Sequence, residues 1–171
     1  MMGVLYAVGG LVGLVVLVAI AGALIPKSHS ATRRATFRRP ASEVWAAITD
    51  IEKFPTWRSG LKAVERLPAR DGRPVWRETG SMGPMTLEQV EARPPSKFVG
   101  RIVGESAFGG TWTYLLEESA GSTTLSITED GEIYNVIFRF MARFVFGYAG
   151  AMEQYLRDLG KKFGEQVQPV Q

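Results

Sequence analysis

Cysteine is absent from this chain and histidine occurs once, as His29. The first absence excludes disulfides, thiolate nucleophiles and zinc sites built on sulfur. The second leaves no cluster of imidazole ligands, and no Ser-His-Asp arrangement that His29 does not itself serve. Acidic side chains are missing from the first 42 residues, and residues 1–25 carry no charged side chain of either sign. The length, 171 residues, suits one ordinary domain or a smaller domain with an appendage.

The basic charge that is present is concentrated. Lys27, Arg33, Arg34, Arg38 and Arg39 fall within residues 26–42 without an acidic neighbour. Taking these five from the 20 basic residues leaves 15 against 17 acidic ones, a net of −2 for residues 43–171. The formal +3 of the whole chain is therefore a local feature beside an apolar segment, and it gives no nucleic-acid footprint.

That apolar segment runs from Val4 to Ile25, 22 residues without a charge or a strong hydrogen-bonding side chain. As a helix it would reach about 33 Å, enough to cross the hydrocarbon core of a bilayer. A cleaved signal peptide is the rival, with Ala21-Gly22-Ala23 as a small-residue site. The missing cation before the run and the run's length favour an uncleaved transmembrane helix. The cations on its C-terminal flank place the N-terminus outside and the rest of the chain in the cytoplasm. Gly9 and Gly13 have the small-xxx-small spacing of close helix pairs, which leaves the oligomeric state open. The expected organisation is an anchor over 1–26, a juxtamembrane linker over 27–31, a domain over 32–166 and a tail over 167–171.

Within the domain, Ala35 to Arg39 reads as a first strand. Pro40 then opens a short helix carrying Val44, Trp45 and Ile48, and a turn segment over Asp50–Ser59 is broken by Pro55. Six further strands follow at 61–67, 74–79, 85–92, 97–103, 110–117 and 123–130. They are separated by Asp71-Gly72, Ser81–Pro84, Pro94-Pro95 and Ala120-Gly121, the punctuation of an antiparallel meander. From Ile133 to Phe163 an apolar residue recurs every three or four positions, predicting one long helix that Gly147, Gly150 and Gly160 weaken without ending. A sheet and a helix with one apolar face each must cover one another.

The residues Pro40, Val44, Trp45, Asp50, Phe54, Pro55 and Trp57, followed by GGTWTYLLE and TTLSITEDGEI, resemble the START-like SRPBCC superfamily in its polyketide cyclase/dehydrase-type branch. The resemblance covers about residues 32–165. It implies an α+β helix-grip fold: a curved seven-stranded antiparallel sheet around a long C-terminal helix, here preceded by one transmembrane helix. It also implies a hydrophobic cavity between sheet and helix. The superfamily includes lipid carriers, receptors and a few enzymes, so the fold does not decide the chemistry.

Few residues offer chemistry. His29 reads as a solvated linker residue, and the pairs Glu117-Glu118 and Glu129-Asp130 as solvated strand ends, because neighbours on a strand point to opposite faces. No metal site, cofactor or assembled catalytic group is expected; Glu78 is the one weak catalytic candidate. Trp76 and Glu78 share a strand face, and Glu78 would point into the cavity if the Trp faces are concave. Arg101 would join it only if its strand turns Val99 and Val103 inward instead of Phe98 and Ile102. The expected ligand-cavity set is Trp57, Trp76, Glu78, Arg101, Phe108, Trp112, Tyr114, Phe140, Phe144 and Tyr148, with Trp112 packed on Phe140, Phe144 or Tyr148. Apolar walls with few polar groups suit a hydrophobic small molecule or lipid held by a membrane-anchored binding domain. The alternative is a cyclase/dehydrase-type enzyme acting on an aromatic or polyketide-like substrate.

Overall fold

The computed structural model describes residues 2–81 and 83–171; Met1 of the expected anchor and Met82 of the expected Ser81–Pro84 turn lie outside the described residues. Helix α1 spans Met2–Leu24. Its stretch Tyr6–Leu24, with mean hydropathy 2.6, is long and apolar enough to cross a membrane. Large side chains such as Leu11, Leu14 and Leu17 stand exposed along it.

Seven strands form one antiparallel sheet: β1 Ser28–Phe37, β2 Leu61–Arg70, β3 Arg73–Gly80, β4 Gly83–Arg93, β5 Lys97–Ile102, β6 Phe108–Ser119 and β7 Ser122–Ile133. The spatial order β1-β7-β6-β5-β4-β3-β2 is a meander whose first strand returns to pair with the last. Two-residue connections at Asp71-Gly72 and Ala120-Gly121 join neighbours directly, as their turn-forming residues require. Helix α2, Ala41–Thr49, and a 3-10 segment, Ile51–Thr56, carry the chain from one sheet edge to the other. β1 starts at Ser28, so most of the stretch expected to be linker is strand, paired with β7 from Ser28 opposite Glu132 onward. The C-terminal residues also pair, with Arg34 and Val170 exchanging two backbone hydrogen bonds of 2.9 Å.

The expected single long helix is two. Helix α3, Val136–Met141, continues through a π-type turn, Ala142–Phe146, and stops at Gly147. Helix α4, Gly150–Lys162, then starts three residues later. Gly147 has φ +71°, a left-handed conformation that ends a helix and that glycine adopts without steric cost. The stripe serves two partners: its first half packs on α1 and its second half on the sheet. Periodicity reports that a face is apolar, not what covers it.

The core follows from the second half. Met152, Tyr155, Leu156 and Leu159 of α4 recur at helical spacing and meet Phe37, Leu116, Leu125 and Ile127 of the sheet together with Val44 and Ile48 of α2. Along β7, Thr123, Leu125 and Ile127 are buried while the alternating residues face outward, as the pleat dictates. A second cluster joins Ile51, Phe54, Trp76, Leu87 and Phe98 at the opposite end of the sheet. Leu156 is fully buried and Phe144 is 63% exposed. Leu156→Ala should therefore cost about 2–5 kcal/mol in urea unfolding of the detergent-solubilised chain, and Phe144→Ala no more than about 0.5 kcal/mol.

Candidate functional site

The alternation of β3 turns Trp76 and Glu78 to the concave face, where both are buried. Arg58, just beyond the 3-10 segment, reaches over with Nη1 and donates to both carboxylate oxygens of Glu78 at 2.9 Å. Trp76 Nε1 donates to the same carboxylate at 3.1 Å. The guanidinium lies between the rings of Phe54 and Tyr155, each centroid 5.0 Å from its central carbon. Burial works against its charge, but Glu78 and the phenols of Tyr155 and Tyr114 outweigh that and hold Arg58 above its ordinary pKa. Glu78 is thus engaged in an ion pair with Arg58.

Arg101 does not take part. β5 turns Phe98 inward against Trp76 and Tyr114, so Arg101 faces outward and is exposed. The expected Glu78–Arg101 pair is replaced by Glu78–Arg58. Arg58 is joined to α4 through the next residue: Asp158, buried on α4, accepts from the Ser59 backbone N at 2.7 Å and from Ser59 Oγ at 2.6 Å.

A second polar group sits on the concave face nearer α1. His29 of β1 is not a solvated linker residue; its side chain is 10% exposed. It lies opposite Gly131 of β7, where an added Cβ would fall 2.4 Å from the imidazole. The absent side chain at 131 makes room for the ring. Tyr148 stacks on that ring at 4.1 Å, and His29 Nε2 is 3.7 Å from Glu129 Oε1. Burial raises the Glu129 carboxyl to about 7, an effect partly offset by a hydrogen bond from Trp112, its cross-strand partner. Burial also lowers the pKa of His29, against the attraction of Asp130. Glu129 is thus a concave-face group and not a solvated strand end. Asp130 beside it is exposed, as alternation requires.

Trp112 and Tyr114 of β6 face α4 between these two groups, with ring centroids 6.4 Å apart, and both are only half-buried. Tyr114 and Tyr155 lie 5.6 Å apart, and burial pushes both phenols up. Trp57 packs on Tyr155 at 5.2 Å; its Nε1 and the Tyr155 hydroxyl are buried and have no hydrogen-bond partner among the described residues. Trp57, Trp76, Glu78, Trp112, Tyr114 and, through His29, Tyr148 therefore share one face of the fold. Phe108 is half-buried at the start of β6. Phe140 and Phe144 lie elsewhere: they pair with each other at 5.0 Å on α3 and its turn, so neither covers Trp112. Two open depressions lie outside the sheet–helix interface, about 910 Å³ beside the C-terminal segment and about 540 Å³ at the ends of β1, β6 and β7. Among the described residues, no group of three or more His, Asp or Glu side chains is gathered for a metal ion.

Two outcomes are expected from these groups. Glu78→Ala leaves the Arg58 guanidinium buried without its partner and should cost about 3–5 kcal/mol in urea unfolding. The double variant Arg58→Met/Glu78→Leu should cost less than the two single losses combined. Glu129 has a folded pKa of about 7 against an ordinary 4.5, so its contribution to stability is complete below the lower value and is lost as pH rises through the higher. His29 acts in the opposite sense, its contribution being lost as pH falls below 6.5. Glu129→Gln should therefore flatten the decline between pH 4.5 and about 7 and gain about 2–3 kcal/mol near pH 8, read by urea unfolding across the pH range.

Residues 28–164 match the profile of a family described as polyketide cyclase / dehydrase and lipid transport. No curated protein sequence matches the chain. Similar solved structures include a conserved protein from Geobacillus kaustophilus, 15% identical with TM-score 0.63, covering 82% of this chain and 100% of that one. A START superfamily protein from Mycobacterium smegmatis is 16% identical with TM-score 0.58, covering 77% of this chain and 99% of that one. An aromatase/cyclase from a Streptomyces species is 18% identical with TM-score 0.56, covering 62% of this chain and 68% of that one. At such identities the likeness concerns the fold. The profile spans most of the chain, and the protein, whose fold is START-like, belongs to the polyketide cyclase / dehydrase and lipid transport family.

Proposed function

We propose that the chain is a membrane-anchored binding domain that holds a hydrophobic small molecule or lipid between the sheet and α4, on the cytoplasmic side. One observation carries this reading. Trp57, Trp112 and Tyr114 face the helix yet remain incompletely buried, and the Trp57 indole N–H and Tyr155 hydroxyl beside them have no partner among the described residues. Apolar walls with a few convergent polar atoms are the surroundings in which an apolar ligand with one polar group is oriented. The family description includes lipid transport, in keeping with such a ligand. Residues Tyr6–Leu24 support the anchor by length and composition. The cations that follow support the orientation with the domain inside. Tethering keeps the binding face close to a reservoir of apolar ligand.

A second reading, a cyclase/dehydrase-type enzyme, is favoured by one different observation. Glu129 has a carboxyl that titrates near neutrality on the concave face, with His29 3.7 Å away. A group half-protonated at working pH is suited to proton transfer at a bound substrate. In that case Glu129→Gln would bind substrate and fail to turn it over.

Native mass spectrometry of the full chain in detergent, after expression in cells and after incubation with a panel of phospholipids, quinones and polyaromatics, is expected to show one bound ligand per chain. Trp112→Ala should weaken that ligand by about tenfold, the loss of one aromatic contact. A chain that remains empty across the panel would refute the binding reading.

A further inference from the structure

We infer that α3 and the π-type turn after it, residues 136–146, form a second membrane contact that lies in the interface of the same bilayer that α1 crosses. The inference rests on the reading of α1 as a membrane anchor. Ile137, Phe138, Phe144, Val145 and Phe146 are between 40% and 71% exposed within one short stretch. An apolar patch of this kind on a folded domain marks an interaction surface. Acidic residues are absent from Tyr134 to Met152, where the only charged side chains are Arg139 and Arg143.

The identity of the partner follows from what holds the segment. α3 crosses α1 at Gly22, where an added Cβ would fall 1.9 Å from the Val136 carbonyl oxygen and 3.5 Å from Cβ of Phe140. Only a residue without a side chain permits this approach. Arg139 is buried and donates through Nη1 to the Ile25 carbonyl oxygen at 2.8 Å, at the end of α1. Asn135 Oδ1 accepts from the backbone N of Ile137 and Phe138 at 2.9 and 3.1 Å and fixes the start of α3. At the other end Tyr148 is stacked on His29 of the sheet. The segment is therefore held at the depth of Gly22 and Ile25, the point at which α1 leaves the hydrocarbon. A helix there with exposed aromatic residues, an exposed Arg143 and no acidic side chain has the composition of an interfacial helix, its apolar face about 5–10 Å below the headgroups. Arg143, exposed beside Phe144, is placed to meet lipid phosphates. This arrangement also turns the His29–Glu129 end of the concave face toward the bilayer, the side from which an apolar ligand would arrive.

The lack of native cysteine makes the test direct. Single cysteines are placed at Val15, Ala69, Phe144 and Phe146 of the full chain, labelled with a nitroxide, and reconstituted in phosphatidylcholine/phosphatidylglycerol vesicles. Collision with oxygen, which concentrates in lipid, is compared with collision with a water-soluble nickel chelate. Labels at 15, 144 and 146 are expected to favour oxygen at least tenfold over the label at 69. A lipid-exposed 15 with 144 and 146 in water overturns this inference and leaves the anchor standing. A water-exposed 15 overturns the anchor and this inference with it. Labels at 144 and 146 shielded from both reagents, with spin broadening that vanishes on dilution with unlabelled chain, would give the face to a second copy and likewise overturn it.

Discussion

A curved antiparallel sheet of seven strands has one face that water can wet and one that it cannot, and covering the second is the constraint on which this domain depends. α4 supplies the cover through Met152, Tyr155, Leu156 and Leu159, set against Phe37, Leu116, Leu125 and Ile127. Each large apolar side chain so buried contributes about 1.5–3 kcal/mol. The pairing of β1 with β7 sets the first strand beside the last at one edge of the sheet, where Ala35, Phe37, Leu125 and Ile127 join this core. α2 and the 3-10 segment bridge the two sheet edges and fill the remaining side with Val44, Ile48 and Phe54.

The polar groups on the concave face exist within that apolar setting, and their behaviour follows from it. Arg58 is a charge taken from water, tolerable because two carboxylate oxygens and two aromatic faces replace the solvent. Glu129 has weaker compensation, one indole and one half-buried imidazole, and its carboxyl accordingly retains its proton to about 7. The two carboxylates differ in their neighbours, a guanidinium and an indole for Glu78, an indole and an imidazole for Glu129.

α1 and α3 form a smaller unit with its own logic. Gly22 lets the backbones meet, and Arg139 satisfies a carbonyl that the end of α1 leaves open. Phe138, Phe144 and Phe146 of α3 and its turn stand exposed. The break at Gly147 lets one run of apolar residues serve both this unit and the core.

Local signals in the sequence located six of the seven strands, the hairpin turns, the apolar N-terminal helix and the START-like character, because alternation, turn residues and long apolar runs are read along the chain; β1 reads late, at 35–39 instead of Ser28–Phe37. It also carried the shared faces of Trp76 with Glu78 and of Trp112 with Tyr114, which follow from a period of two. Tertiary structure alone decided which residues meet across elements. That Glu78 pairs with Arg58 and not Arg101 depended on β5 turning Phe98 inward, a choice between two faces that both carry apolar residues. His29 and Glu129 read as solvated from their neighbours in the chain. They are partly buried because Gly131 leaves space across the sheet and Tyr148 closes over it. The apolar stripe after Ile133 likewise revealed a face to be covered, while the division of that face between α1 and the sheet came only from the fold, since periodicity is local and partnership is not.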